Sequence, residues 1–200
     1  SYSSCRQYQE NIAAARAAVG ADAPVIDKVR ASFNHPGFIS ANAARLKDAI
    51  TTLDEAAQRE VRVAFTAHSI PLRMAQTSQY AQQLHEVARM IAEAVGIPES
   101  RWQVVYQSRS GLPQDPWLEP DICDHLVALH EQGHRAVAIA PIGFLSDHIE
   151  VLFDLDDEAK HKADELGMTL VRAQTVGTHP EFVAALGELI EARLKGSCAA

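Results

Sequence analysis

Cysteine is scarce in this chain of 200 residues, which contains only Cys5, Cys123 and Cys198. An odd number of widely spaced cysteines argues against a disulfide framework and fits a reducing cytoplasm. Neither Cys-x-x-Cys nor His-Glu-x-x-His occurs, and the histidines follow none of the common zinc spacings. The sequence therefore argues against a closed structural zinc site.

Positive charge and long apolar runs are also lacking. The chain has 18 Lys and Arg residues against 26 Asp and Glu residues, which gives a net charge of −8. With no basic patch to offset that charge, nucleic acid is not an expected partner. No apolar stretch is long enough to span a bilayer, and the polar first residues do not resemble a signal peptide. Because the chain starts at Ser1 without a Met, we expect a trimmed, processed or partial chain.

The hydrophobic fraction of 47% allows a real core, and short apolar runs alternate with helical patterns. From residue 61 onward the predicted order is β-α-β-α-β-α-β-α, which indicates an α/β fold with a parallel sheet and helices on both faces. The predicted strands are Val61–Thr66, Gln103–Gln107, Ala136–Pro141 and Thr169–Arg172, with a further one near Pro24–Asp27. The predicted helices are Gln7–Val19, Phe38–Leu53, Ser78–Val95, Glu119–Gln132 (with Pro120 in its first turn), Asp147–Leu166 and Pro180–Leu194.

His68 is the first candidate for chemistry, since it follows the predicted strand Val61–Thr66 in the segment FTAHSIP. A turn of small residues just past a buried strand is where open α/β sheets place ligands. The alternative is a strand-end histidine that is hydrogen-bonded to backbone, and the residue alone does not decide between them.

A second candidate lies in PIGFLSDHIEVLFDLDDE, which supplies His148 and Glu150 after the strand Ala136–Pro141. Glu150, Asp154 and Glu158 recur every four residues, so on a helix they form a row of carboxylates along one face. The ordinary alternative is a solvated acidic face. Because like charges at this spacing destabilise a helix, the row also fits a path for a divalent cation.

The third feature is the loop YQSRSGLPQDPWLEPD, which holds two prolines before a tryptophan, Trp117, that looks exposed. It is either an ordinary strand-to-helix loop or one wall of a flat apolar pocket.

At these three segments the chain resembles the ferrochelatase family, in the order and at the spacing of the family's signatures. The stretch CRQY near the start is similar to the actinobacterial branch, whose members are thought to insert iron into coproporphyrin III. The resemblance implies a Rossmann-like chelatase fold and a lyase of heme biosynthesis with Fe²⁺ and a porphyrin as substrates. The alternatives are a protoporphyrin IX ferrochelatase, a cobalt or nickel chelatase, and a metal- or tetrapyrrole-binding module of the same fold without activity.

The resemblance also implies roles for individual residues. His68 would contact the metal and accept a proton, and Glu150 would be the opposing carboxylate. His148 would support them, while Asp154 and Glu158 would continue the carboxylate row as a supply route for metal. Porphyrin contacts would come from Tyr8, which aligns with a family tyrosine, and from Trp117.

Two further expectations concern the ends of the chain. Some family members hold a [2Fe–2S] cluster on four thiolates, for which Cys5 and Cys198 are candidate ligands, whereas Cys123 is expected to be a buried spectator. Family members carry an additional amino-terminal portion, so residues 1–60 are predicted to be the tail of a first chelatase domain and residues 61–200 a second domain. We therefore expect the helix Phe38–Leu53 to lack part of its sheet and to expose Ile39, Leu46 and Ile50.

Overall fold

The computed structural model describes residues 6–112 and 114–196. Its centre is a sheet of four parallel strands in the order β2-β1-β3-β4. The strands are β1 (Arg62–His68), β2 (Trp102–Gln107), β3 (Ala136–Ala140) and β4 (Thr169–Arg172). The predicted parallel α/β sheet is confirmed. The strand predicted near Pro24–Asp27 is wrong, because these residues form neither strand nor helix.

Helices cover both faces of this sheet. The α-helices are α1 (Gln7–Val19), α2 (Pro36–Thr51), α3 (Glu55–Glu60), α4 (Leu72–Gln76), α5 (Tyr80–Val95), α6 (Ile122–Glu131), α7 (Ile149–Val151), α8 (Ala159–Glu165) and α9 (Pro180–Gly196). Buried residues of α2, α5 and α9 form one core cluster with one face of the sheet, and those of α6 and α8 form a second cluster with the other face. The predicted layers are therefore confirmed.

The strand order places a crevice between β1 and β3. The chain leaves β1 towards α5 on one face, and it leaves β3 towards α7 and α8 on the other. The loops after these neighbouring strands thus diverge, which opens a gap at their carboxyl ends. His68 and the segment that holds Glu150 follow these two strand ends.

The predicted helix Asp147–Leu166 is interrupted. A π-helix, Leu152–Glu158, separates α7 from α8. The spacing of apolar residues and the composition do not distinguish a π-helix from an α-helix. The i→i+5 hydrogen bonds of the π-helix are set by tertiary context and not by residue type. Asp154 and Glu158 therefore lie on a wider turn than the α-helical row predicted from the sequence.

The start of α6 also differs from the prediction. The helix begins at Ile122, after Asp121 caps it by accepting from the Cys123 N–H at 2.8 Å. Pro120 lies before the helix, where its carbonyl accepts a 2.9 Å bond from the Tyr106 N–H of β2. The Asp cap therefore sets the first residue, in keeping with its preference for this position.

The expected exposure of the second helix is wrong. Ile39 and Leu46 of α2 are buried, and Ile50 packs against the same core. α2 contacts α5, α9 and β3, so the core continues across the predicted boundary between residues 60 and 61. The division into two domains stays a prediction. Within the part of the chain that the structure describes, no helix is both long enough and apolar enough to cross a membrane.

Candidate functional site

His68 occupies the last position of β1, where backbone contacts from three directions fix it. It pairs in register with Gln107 of β2, and its carbonyl accepts a 2.9 Å bond from the Tyr80 hydroxyl of α5. The Nδ1 atom faces the Ser69 carbonyl. Since a carbonyl can only accept, Nδ1 carries the proton of the neutral imidazole and Nε2 presents a lone pair.

That lone pair faces a carboxylate from the other side of the crevice. The Nε2 atom of His68 lies 3.8 Å from Oε1 of Glu150, and the other oxygen, Oε2, lies 3.8 Å from Nδ1 of His148. The His68 and Glu150 side chains are 36% and 52% exposed, so both are accessible from solution. In the neutral imidazole tautomer, two acceptors face each other across a gap that suits a proton or a cation.

A close backbone approach brings the segment after β3 to His68. Gly143 donates its N–H to the Thr66 carbonyl at 3.0 Å. A Cβ atom at position 143 would lie only 2.5 Å from the Cβ of Ala67, the neighbour of His68. Only glycine allows this contact, which brings the loop after β3 against the end of β1.

Asp154 is held by the end of β2. Its Oδ2 atom accepts a 3.2 Å bond from Nε2 of Gln107 and a second bond from the Ser108 hydroxyl. Gln107 is fully buried, and its Oε1 atom has no hydrogen-bond partner among residues 6–112 and 114–196. The π-helix is thus bound to the strand that lies beside His68.

Asp121 joins the predicted row of carboxylates, although the sequence did not suggest it. Burial raises the pKa of Glu158, and the negative charges of Asp154 and Asp121 raise it further. Burial also raises the pKa of Asp121, with Asp124 and Asp154 adding to the effect. Asp121, Asp154 and Glu158 therefore share one acidic environment.

These groups do not converge on one point. Among residues 6–112 and 114–196, no group of three or more His, Cys, Asp or Glu side chains has the arrangement of a ready metal site. His68 and Glu150 are a facing pair, and the metal roles of both stay predictions.

The predicted porphyrin-contacting residues lie in different settings. Trp117 is half-buried, contrary to the expectation of an exposed ring, and it lines a hollow of about 240 Å³ with Pro71, Arg73 and Asp115. Gly111 packs on the indole, and a Cβ there would lie 3.2 Å from the ring. Tyr8 is 63% exposed on α1, a helix with no buried residue. Both porphyrin roles stay predictions.

The cysteine predictions are only partly covered by the structure. Cys5 and Cys198 lie outside the described residues. Cys123 is free and half-buried, and burial together with Asp121 raises the pKa of its thiol to about 11. A thiol with a raised pKa is a poor nucleophile, which agrees with the spectator role predicted for it.

Sequence reasoning missed several polar residues around the site, namely Ser69, Tyr80, Gln107, Asp121 and Arg172. Gln107 and Ser108 lie within the segment YQSRSGLPQDPWLEPD, which the sequence analysis interpreted only as a loop. A polar residue directly after the apolar residues 104–106 was the available signal. Tyr80 and Arg172 carried no signal, because their partners are distant in sequence.

Comparisons with known proteins address the family of the chain. The family model described as Ferrochelatase matches residues 1–194. A ferrochelatase of Rhodopirellula baltica is 48% identical over 194 residues, covering 96% of this chain and 54% of the relative. A coproporphyrin III ferrochelatase of Mycolicibacterium smegmatis is 48% identical over 198 residues, covering 98% of this chain and 58% of the relative. The chain thus spans about half the length of the curated relatives it matches.

A solved structure supports the fold alone. It is a multi-domain protein of Deinococcus radiodurans described as structurally similar to chelatases, with a TM-score of 0.50 and 18% identity. The match covers 78% of this chain and 29% of that protein. Neither this likeness nor the relatives support the [2Fe–2S] cluster predicted from Cys5 and Cys198. With a family model matched over nearly its whole length and relatives at 48% identity, the chain belongs to the ferrochelatase family.

Proposed function

We propose that the protein containing this chain inserts Fe²⁺ into a porphyrin, and that the porphyrin is coproporphyrin III. One observation carries the proposal: the facing acceptors His68 Nε2 and Glu150 Oε1, 3.8 Å apart at the mouth of the crevice. Metal insertion must remove two N–H protons from the macrocycle and strip water from the ion. A proton acceptor and a cation-binding carboxylate that face each other match both requirements.

In this proposal His68 and Glu150 have different roles. The Nε2 lone pair of His68 accepts one pyrrole proton, because Nδ1 is already engaged with the Ser69 carbonyl, and passes it to Glu150 or to solvent before it accepts the second one. Glu150 faces the resulting imidazolium and stabilises its charge, or holds the ion before it reaches the nitrogens. The Nδ1 atom of His148 lies 3.8 Å from the second oxygen of Glu150, so His148 flanks the carboxylate as a supporting group without a hydrogen bond to it.

The acidic residues on the π-helix fit a supply route for the ion. Burial and the negative charge of Asp154 raise the pKa of Glu158, the direction expected where neighbouring carboxylates repel each other. An arriving divalent ion would relieve that repulsion. Trp117 and Tyr8 belong to the proposal as porphyrin contacts, and a cytoplasmic location rests on the cysteine pattern alone.

The choice of coproporphyrin III rests on the relatives, since several actinobacterial ones carry that name at 45–48% identity. A protoporphyrin IX ferrochelatase is the alternative within the family.

A binding module without activity is the second candidate, favoured by the exposure of Glu150 and by the lack of a preassembled metal site among the described residues. An anaerobic assay separates the two. The intact protein is mixed with Fe²⁺ and either coproporphyrin III or protoporphyrin IX, and the loss of free porphyrin absorbance is followed.

The proposal expects repeated turnovers and a higher kcat/KM for coproporphyrin III. A single stoichiometric binding event without metallation would identify a binding module. A preference for protoporphyrin IX would replace the substrate while keeping the activity.

A further inference from the structure

Arg172 lies at the end of β4 and binds two carboxylates of the segment that holds Glu150. Its Nε and Nη2 atoms donate to Oδ1 and Oδ2 of Asp156 at 2.5 Å and 2.8 Å. Its Nη1 atom donates to Oδ1 of Asp147 at 3.0 Å. The guanidinium side chain is only 12% exposed, while the Asp147 and Asp156 side chains are 31% and 42% exposed, so Arg172 reaches from the buried strand end to partly exposed carboxylates.

The two carboxylates lie on opposite sides of Glu150 in the chain. Asp147 belongs to the loop before α7, and Asp156 belongs to the π-helix after it. The backbone bonds the same loop to the chain beyond β4, since Gly177 donates its N–H to the Leu145 carbonyl at 2.9 Å. One arginine therefore holds both ends of the segment that presents His148 and Glu150.

Packing holds only one side of this segment. Val151, which follows Glu150, is fully buried, whereas Ile149, which precedes it, is 76% exposed. Glu150 itself contacts only imidazole nitrogens at 3.8 Å in the described contacts, a distance too long for a hydrogen bond. A fixed position of the carboxylate must then come from the groups that hold its segment.

We infer that Arg172 is a positioning residue, whose guanidinium holds the loop before α7 and the π-helix and thereby sets the distance between Glu150 and His68. The inference rests on the proposed function, because that distance matters to iron insertion only if the pair carries it. Arg172 does not touch substrate in this account. Its effect reaches the reaction through Glu150.

The test compares Arg172→Gln and Arg172→Lys in the intact protein with a matched control. Arg193 forms a similar two-pronged contact with Asp27, at 2.8 Å and 2.7 Å, far along the chain on α9, so Arg193→Gln is the control. We expect Arg172→Gln to lower kcat by about tenfold to a hundredfold, since a misplacement of about 1 Å can cost about a hundredfold. The KM for porphyrin should stay within about twofold of the wild-type value. Arg172→Lys should lose less activity than Arg172→Gln, because lysine keeps the positive charge but not the two-pronged contact of the guanidinium.

A second readout does not depend on chemistry. Hydrogen–deuterium exchange of the peptides covering residues 143–158 should rise in Arg172→Gln and stay unchanged in Arg193→Gln, while α5 stays protected in both. Asp147→Asn, which removes one of the contacts, should reproduce part of both effects. The double variant Arg172→Gln/Asp147→Asn should lose less activity than the product of the single losses, as expected for residues that act as a unit.

The outcomes distinguish this inference from the proposed function. If the wild-type protein does not metallate porphyrin, the proposed function fails, and the exchange data still decide whether Arg172 holds the segment. If wild type is active and Arg172→Gln loses no more activity than Arg193→Gln, the inference is wrong. It is also wrong if Arg172→Gln leaves hydrogen–deuterium exchange in residues 143–158 unchanged. The same holds if the activity loss of the double variant equals the product of the two single losses. Should Arg172→Gln fail to fold, Asp147→Asn and Arg172→Lys decide by the same measurements.

Discussion

The Nε2 atom of His68 and the Oε1 atom of Glu150 face each other at 3.8 Å across the crevice between β1 and β3. The two residues are far apart in sequence, and the strand order brings them together because the loops after β1 and β3 leave towards opposite faces of the sheet. The site is therefore a product of topology, and its chemistry depends on how precisely two separate segments are held.

Replacing Glu150 by Gln should lower turnover far more than porphyrin affinity. An amide keeps the shape of the carboxylate but neither accepts a proton nor carries a charge for a cation. We expect kcat to fall by about a hundredfold or more, in the range of general acid–base contributions. Steady-state kinetics with porphyrin binding measured by fluorescence quenching test this, with Glu93→Gln on the surface of α5 as the control. A loss of affinity without a loss of turnover per bound porphyrin would make Glu150 a binding residue.

Replacing Asp154 should change the supply of iron more than the chemical step. Asn keeps an acceptor for the Gln107 amide and the Ser108 hydroxyl, whereas Ala leaves the buried Gln107 donor without a partner, at a cost of about 1–3 kcal/mol. We expect Asp154→Asn to raise the iron concentration needed for half-maximal rate and to change the maximal rate less. Asp154→Ala should add a loss of stability. An unchanged iron dependence with a collapsed maximal rate would place Asp154 in the chemical step instead.

Replacing Gly143 by Ala should destabilise the protein and reduce its activity together. The new Cβ would meet the Cβ of Ala67 at 2.5 Å, so the loop after β3 must move away from β1. We expect a loss of about 1–3 kcal/mol in the free energy of unfolding, typical of overpacking. The control is Gly187→Ala in α9, where a Cβ meets nothing within 4 Å, so helix propensity should raise stability by up to about 1 kcal/mol. Urea denaturation of both variants measures this, and equal stabilities would show that the loop adapts without cost.

The charge of Asp121 should make one part of the stability depend on pH. Burial raises its pKa above the ordinary 3.8. The folded protein therefore holds this proton more tightly than the unfolded chain, so the group contributes stability at low pH and loses that contribution as the pH rises through its raised folded pKa. Asp121→Asn keeps an acceptor for the Cys123 N–H and removes the charge.

We therefore expect the stability of Asp121→Asn relative to wild type to be higher at about pH 7 than at about pH 3.5. Chemical denaturation at both values checks the difference. If the stability of Asp121→Asn relative to wild type instead decreases from the low to the high pH, the ionised carboxylate is favoured in the folded protein.

Sequence patterns were sufficient to predict the strands of the sheet and the order in which strands and helices follow along the chain. The apolar runs that became β1 to β4 have turn residues at both ends, and the helix over Tyr80–Val95 shows its buried stripe, Leu84, Val87 and Ile91, at helical spacing. His68 and Glu150 were found because each follows a buried strand. The facing geometry depends on the strand order, which periodicity alone does not give.

Other features depend on contacts between distant residues. The π-helix Leu152–Glu158 is held by Gln107 of β2 and Arg172 of β4, and neither contact leaves a trace in local composition. The burial of α2 cannot be predicted from its own residues, because the elements that cover it are distant in sequence. The helix packs on elements that follow it, in particular α5 and α9.

The most direct test of the account is the rate of iron insertion by His68→Ala in the intact protein. The imidazole is partly exposed at a strand end, so its removal should leave the circular dichroism spectrum and the unfolding midpoint nearly unchanged. His161→Ala, which removes a surface imidazole paired with Asp157, is the control. The account predicts that anaerobic metallation of coproporphyrin III falls to background in His68→Ala and stays at the wild-type rate in His161→Ala. Turnover by a folded His68→Ala variant at a rate near wild type would contradict the account.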